Sequence, residues 1–303
     1  MTNLPSLVVR GCGAWSGRRA RPHSSLSTRL RTFIAHPVSS LAPRGSPTHF
    51  SSARTPRYAR RVTAAEVRDA LAKVASPEDA VFLQRFFKAG KGEYGEDDVF
   101  IGVRVPQTRA VAKRFGGLPL DQLRELLDSE VHEHRLAALI ILNREFELAS
   151  RPAARDDARR EELAAFYVDA VRRGRVNNWD LVDSSAEYIL GAFLWDRPRD
   201  VLDELAASKV LWERRVAVLS TFAFIKRGDA STTVDLAARL LDDREDLIHK
   251  AVGWMLREVG KRVDREVLLA FLDEYAPRMP RTMLSYATEH LTPEVRAEYR
   301  ARR

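Results

Sequence analysis

Three short segments hold side chains of the types that do chemistry. The first is Asn177-Asn178-Trp179-Asp180-Leu181-Val182-Asp183. Asn178 suits a helix N-cap, and Asp180 then falls in the first turn, where the helix dipole favours a carboxylate. Trp179 and Asp183 are four apart and share one helix face, which Glu187 continues. Two carboxylates at that spacing repel unless one meets a cation or shifts toward its neutral form. The plain alternative is a core tryptophan with acids placed by the dipole. The second segment is Leu211-Trp212-Glu213-Arg214-Arg215-Val216-Ala217. The two arginines point about 100° apart on a helix, so one at most faces the apolar stripe. An inward guanidinium needs an anion, either a carboxylate of a neighbouring helix or a phosphate. The third is His249-Lys250-Ala251-Val252-Gly253-Trp254-Met255-Leu256-Arg257-Glu258. Gly253 in mid-helix costs about 1 kcal/mol relative to Ala. Beside Trp254 it signals close approach of another helix or of a ligand.

Other chemistries are absent from the pattern. Cys12 is the only cysteine. An intrachain disulfide, a cysteine-based zinc site and a cysteine nucleophile in the body are therefore excluded. His132 and His134 lie on different faces and no HExxH occurs, so no metal is expected. P-loop, GxGxxG and GxSxG motifs are also missing, and no cofactor is expected.

The elements that must position these residues read as helices. From Thr63 onward, apolar residues recur at 3–4 spacing and almost never alternate. The spacing predicts helices over about 63–75, 78–89, 106–115, 120–128, 132–149, 156–174, 179–194, 199–207, 210–226, 231–241, 246–261, 265–275, 280–290 and 293–301. Gly116-Gly117, Gly174, Pro198, Gly228-Asp229 and Pro277 supply breaks between them. The stretch Gly90–Gly102 is rich in Gly and acid and reads as a surface loop. An internal echo runs through the pattern. Arg135, Arg215, Lys250 and Arg281 each open an apolar helix with a cation, the last three separated by 35 and 31 residues and the first two by 80. The expected fold is all-α, a superhelical solenoid of HEAT-like repeats with cations at one point of successive units.

Charge is distributed unevenly. The chain has 303 residues and a net charge of +8, yet residues 1–61 hold eleven Arg, no Lys and no acid. Residues 62–303 carry 39 basic against 42 acidic groups, a net of −3. The overall basicity says little about the body. The expected domains are a disordered basic Arg/Ser/Pro-rich tail over 1–61 and a repeat domain over 62–303. The tail fits a targeting segment, a phosphate-touching arm or a start set upstream of the natural one. No stretch of about 18 apolar residues is present, so no membrane helix is expected.

Together the segments resemble the AlkD-type DNA glycosylases of the DNA alkylation repair family. The resemblance rests on His132-Glu133-His134-Arg135, Trp179-Asp180-Leu181-Val182-Asp183, Trp212-Glu213-Arg214-Arg215-Val216-Ala217, Lys250 through Glu258, and Met279-Pro280-Arg281-Thr282-Met283. It runs in order from about residue 63 to 300 and leaves out the tail. It implies a HEAT-like superhelix that excises N3- and N7-alkylated purines from duplex DNA. It also implies that Trp179, Trp254 and Asp183 cradle the sugar and that Arg215 holds a phosphate, with Lys250, Arg281, Arg135 and Arg214 as further phosphate ligands. Asn178 departs from members that have a second aromatic there, which bears on substrate preference. The implied protein is a cytoplasmic, nucleoid-associated monomer, with organelle targeting by the tail as the lesser expectation. Two alternatives stay open: a non-catalytic solenoid preferring damaged or branched DNA, and a protein-binding scaffold.

Overall fold

The computed structural model describes residues 62–96 and 98–302. The readings of residues 1–61 as a tail lie outside the described residues. Within them the chain is all-α, with no strand and one isolated parallel bridge, Val99 to Val131. Among the described residues, no helix is long and apolar enough to cross a membrane.

The helices pack as two layers of a repeat solenoid. The first layer is His132–Ala149, then Trp179–Asp183 with its continuation Glu187–Leu194, then Leu211–Ser220, Asp246–Arg262 and Arg281–Ala287. Each packs against its successor. The second layer covers their backs. Leu120–Leu127 lies on His132–Ala149, Asp200–Ala206 on Leu211–Ser220, and Ser231–Arg239 with Arg265–Tyr275 on Asp246–Arg262. One continuous apolar core runs between the layers from Ala64 to Tyr299. The caps follow from local sequence: Thr63 forms a capping box with Glu66, and Ser76, Asn178, Asp264 and Thr292 each accept an N–H at a helix start.

Two expected helices are interrupted. The stretch 179–194 breaks at Ser184–Ala186 and resumes as a π-helical turn, Glu187–Gly191. The hydroxyls of Ser184 and Ser185 both donate to the Leu181 carbonyl, at 3.3 and 2.6 Å. Such back-bonding competes with the helix ladder. Asn143 from the neighbouring helix caps the Ser184 carbonyl at 2.7 Å. The stretch 210–226 has a shorter defect at Thr221.

The cationic echo acquires a missing member. Arg215 and Lys250 are each the fifth residue of a first-layer helix. The fifth residue of the helix before them is Asp183. The 80-residue gap between Arg135 and Arg215 thus holds a unit whose matching side chain has the opposite sign.

Gly253 serves helix packing. A Cβ there would lie 2.5 Å from the Met283 carbonyl oxygen and 2.6 Å from Tyr286 Cβ. Backbone cannot yield as a flexible side chain can. Gly253→Ala should therefore destabilise the protein by about 1–3 kcal/mol, despite the better helix propensity of Ala. Chemical denaturation checks this, and an unchanged or higher midpoint would contradict the close crossing.

Candidate active site

Asp183 closes the short helix Trp179–Asp183, and Arg215 projects toward it from Leu211–Ser220. The Arg215 guanidinium is forked onto the carboxylate: Nε donates to Oδ1 and Nη2 to Oδ2, each at 2.9 Å. Its third nitrogen, Nη1, donates to the Leu247 carbonyl at 2.6 Å on the next first-layer helix. One side chain thereby ties three consecutive repeats. Arg215 is 4% exposed, whereas the Asp183 side chain keeps 19% of its surface open. The pair is thus buried on the cation's side and accessible on the acid's. Burial pushes the Asp183 carboxyl above its usual range; Arg215 opposes this and the nearby Asp180 adds to it.

Trp179 stands one turn before Asp183. Its ring stacks on Phe87 at 5.3 Å and meets Phe86 edge-on at 5.9 Å. Trp254 is half-buried against Phe222, with centroids 5.9 Å apart. Phe222 in turn carries Lys226 over its face at 4.4 Å, and Lys226 pairs with Glu187. Both acids of the Asp183/Glu187 face therefore meet a cation, which removes their mutual repulsion.

The remaining sequence candidates are distributed as follows. Arg214 pairs with Asp243 at 2.7 Å and donates to the Ser208 carbonyl. Lys250 pairs with Asp246 at 2.7 Å on the helix of Trp254. Arg281 is exposed and donates to the Arg300 carbonyl at 2.9 Å. Arg135 is a correction. It is 3% exposed, bonded to Asp98 and to the Ser129 and Glu130 carbonyls. Its charge is neutralised internally, which removes it from the phosphate ligands. Asn178 is fully buried, caps the Trp179 N–H and donates to Asp98 at 3.1 Å. It is a cap and a tether, not a lesion contact.

The surface-loop reading of Gly90–Gly102 fits the exposed Gly90–Glu93 but needs correction further on. Asp98 and Phe100 are buried, and the loop is stitched to the start of His132–Ala149. Glu133 accepts the N–H groups of Ile101, Gly102 and Val103 at 3.2, 2.8 and 3.1 Å. Phe100 stacks on Phe87 and His132. Gly-rich, acidic composition normally marks a solvated loop, but here Asp98 is drawn inward by His132 and Arg135, while Glu93 and Glu96 accept the N–H groups of Gly90 and Gly92. The loop also supplies Tyr94, which periodicity does not single out. Its ring is 6.0 Å from Trp212. Burial raises its hydroxyl pKa, while the Trp179 indole donates to it and Asp180 lies in electrostatic range.

Behind Trp179 lies the site's other missed group. His132 bridges two carboxylates: Nδ1 to Asp98 and Nε2 to Asp180, both at 2.9 Å. Burial alone would lower its pKa, but Asp180 and then Asp98 overcome that and hold it at about 9. His132 is thus an imidazolium at neutral pH. The only sequence signal for it was the dense run His132-Glu133-His134-Arg135. No cluster of three or more metal-ligating side chains occurs among the described residues.

With this geometry in view, the comparisons become informative. A family model described as DNA alkylation repair enzyme matches residues 67–291. The chain belongs to that family. Among solved structures it resembles one described as a predicted DNA alkylation repair enzyme from Enterococcus faecalis. That likeness has 18% identity and a TM-score of 0.56, over 72% of this chain and 97% of that one. It also aligns with AlkD2 from Streptococcus mutans at 17% identity and TM-score 0.43, over 75% and 96%. No curated protein matches the chain. At 18% identity the first likeness supports the all-α fold. The family match carries the role in alkylation repair.

The His132 bridge makes stability depend on pH. Its folded pKa of about 9 lies above the 6.5 of an ordinary imidazole. The bridge therefore stabilises fully below pH 6.5 and is lost as pH rises toward 9. Urea midpoints should fall across that window in the native protein and change less in His132→Gln. Parallel declines in the two proteins would contradict the charged bridge.

Proposed function

We propose that this chain is a DNA N-glycosylase that hydrolyses N3- and N7-alkylated purines from duplex DNA. One observation carries the reading: a partly exposed carboxylate forked by a buried guanidinium, one helical turn from an indole ring. Alkylation at N3 or N7 makes the purine cationic and a better leaving group. The C1′–N bond breaks with its electron pair moving onto the purine, which departs neutral. Positive charge is left on the sugar. Asp183 faces that charge, and water adds at C1′ while its proton passes to the carboxylate. The faces of Trp179 and Trp254 add about 0.5–2 kcal/mol of attraction for the cationic sugar.

Arg215 acts in this scheme first on Asp183. Its fork fixes the carboxylate's orientation, and a guanidinium has five N–H donors. Three bond within the protein. Arg215 is itself 4% exposed, so in this scheme it orients Asp183 and leaves phosphate contact to other cations. Lys250 and Arg281 supply further cations toward the DNA backbone, whereas Arg214 is taken up by Asp243, and the protein acts as a monomer. No step calls on a cofactor or metal.

The test is release of 7-methylguanine or 3-methyladenine from alkylated duplex DNA. Asp183→Asn should lower turnover by at least about 100-fold while DNA affinity changes little. Equal activity of the two proteins would exclude this role for Asp183. Salt-sensitive binding with no base release by the native protein would instead mark a non-catalytic DNA-binding solenoid.

The ionised carboxylate is the working form. Activity should therefore fall on the acid side at a pH above the ordinary carboxylate range, because burial raises Asp183. An acid limb at or below that range would show that another group limits the reaction.

A further inference from the structure

Asp98 and Asp180 reach His132 from different parts of the chain, but they depend on it unequally. Asp98 comes from the Gly-rich loop. Besides His132 it receives Arg135 and the side-chain amides of Asn177 and Asn178. Asp180 lies in the first turn of the helix that bears Trp179 and Asp183. It is 9% exposed, and its Oδ1 is buried without a partner. The 2.9 Å bond from His132 to Oδ2 is its side chain's direct hydrogen bond. Losing the imidazolium would leave Asp98 held and Asp180 a buried, uncompensated charge. Such a group rearranges or takes up a proton.

The aromatic packing points the same way. His132 lies 4.9 Å from the Phe87 ring and 4.7 Å from Phe100, and Phe87 is the ring on which Trp179 stacks. The imidazolium therefore meets the Trp179–Asp183 helix twice, through Asp180 and through Phe87. The helix is only five residues long. A helix that short has little stability of its own, so its orientation depends on tertiary contacts. Arg215 holds its last residue and His132 its second.

We propose that His132 is a positioning residue for the glycosylase reaction: through Asp180 it sets the angle at which the Trp179 ring and the Asp183 carboxylate are presented to the substrate sugar. This rests on the function proposed above. A displacement of about 1 Å at a reacting centre costs on the order of 100-fold in rate. The effect belongs in kcat, because neither His132 nor Asp180 touches the DNA.

The charges facing His132 are Asp98 from the loop, Arg135 from its own helix and Asp180 from the short helix, with Asp183 and Arg215 beyond. Loss of the imidazolium proton near pH 9 should therefore appear as an alkaline limb in kcat.

The experiment compares the full-length native protein with His132→Gln, Asp180→Asn and the double variant. Release of 7-methylguanine from alkylated duplex DNA is followed across pH 6–10. The Trp179 indole N–H is followed in parallel by NMR, with Trp179→Phe assigning the signal. The two single variants should each lose about 10- to 100-fold in kcat, with KM for DNA within about threefold. They should lack the alkaline limb, and the double variant should be no worse than either single one because both act through one bond. The Trp179 signal should titrate near pH 9 in the native protein and not in the variants. Additive losses, unchanged kcat, or an alkaline limb that persists in Asp180→Asn would overturn the proposal. A native protein that releases no base overturns the glycosylase reading instead. In that case the Trp179 titration still decides whether His132 orients the ring. Asp180→Asn preserves shape and serves where His132→Gln does not fold.

Discussion

A buried charge must have a partner. The Arg215–Asp183 pair shows how far that requirement shapes this molecule. Removing two ions from water costs several kcal/mol each, and close, bidentate geometry is what offsets it. The fork at 2.9 Å meets that condition. It does so across a gap of 32 residues, from one repeat to the next. The third bond of Arg215, to Leu247, extends the demand to a further repeat. The spacing of three consecutive first-layer helices is therefore constrained by one guanidinium. A helical stack held by apolar contacts alone slides more freely, since such contacts have little directionality. The ion pair supplies the register that a site with sub-ångström tolerance needs.

The same requirement explains what was legible in the sequence. Periodicity reports which face of a helix is apolar, and here it located helix after helix. His132–Ala149, Arg265–Tyr275 and Pro293–Ala301 have the bounds that spacing indicates. Asp183 and Arg215, which the structure joins, sit inside the extended motifs that carry the resemblance. What escaped was everything settled by long-range polar contacts. Asp98 bonds Asn178 from 80 positions away, and Glu133 gathers three loop amides from about 30. Nothing in the loop's composition announces those partners. Arg135 was misread for the same reason: a cation opening a helix looks alike whether it faces solvent or a buried acid. The break after Asp183 depends on Ser185 bonding back to Leu181 and on Asn143 meeting Ser184. The serines are visible in the sequence. Asn143, on another helix, is not.

The repeat pattern gains its meaning from its one inversion. Arg215 and Lys250 hold equivalent places in successive units, and Asp183 holds that place in the unit before. A run of like charges along a helix stack repels and must be dispersed by solvent or ligand. Inserting an acid lets the neighbouring cation turn inward and be satisfied by protein. The acid is then held through both oxygens by Arg215 while about a fifth of its side chain stays exposed.

Local neutrality follows and bears on how DNA would be held. Asp98, Asp180, Asp183 and Glu187 face Arg135, His132, Arg215 and Lys226 in an interlocking set. Residues 62–303 as a whole carry a net of −3. Affinity for a polyanion cannot come from the body's average field. It must come from cations beyond the paired set, such as Arg281, whose guanidinium meets a backbone carbonyl rather than an acid. In the proposed reaction, a duplex held at few points would leave Asp183 free to act on charge that develops at the sugar. A strongly positive cradle would bind phosphate more tightly, yet it would oppose a sugar that is becoming a cation. In the proposed reaction, near-neutral surroundings with one forked carboxylate would favour the transition state over the ground state, and that difference is what lowers a barrier.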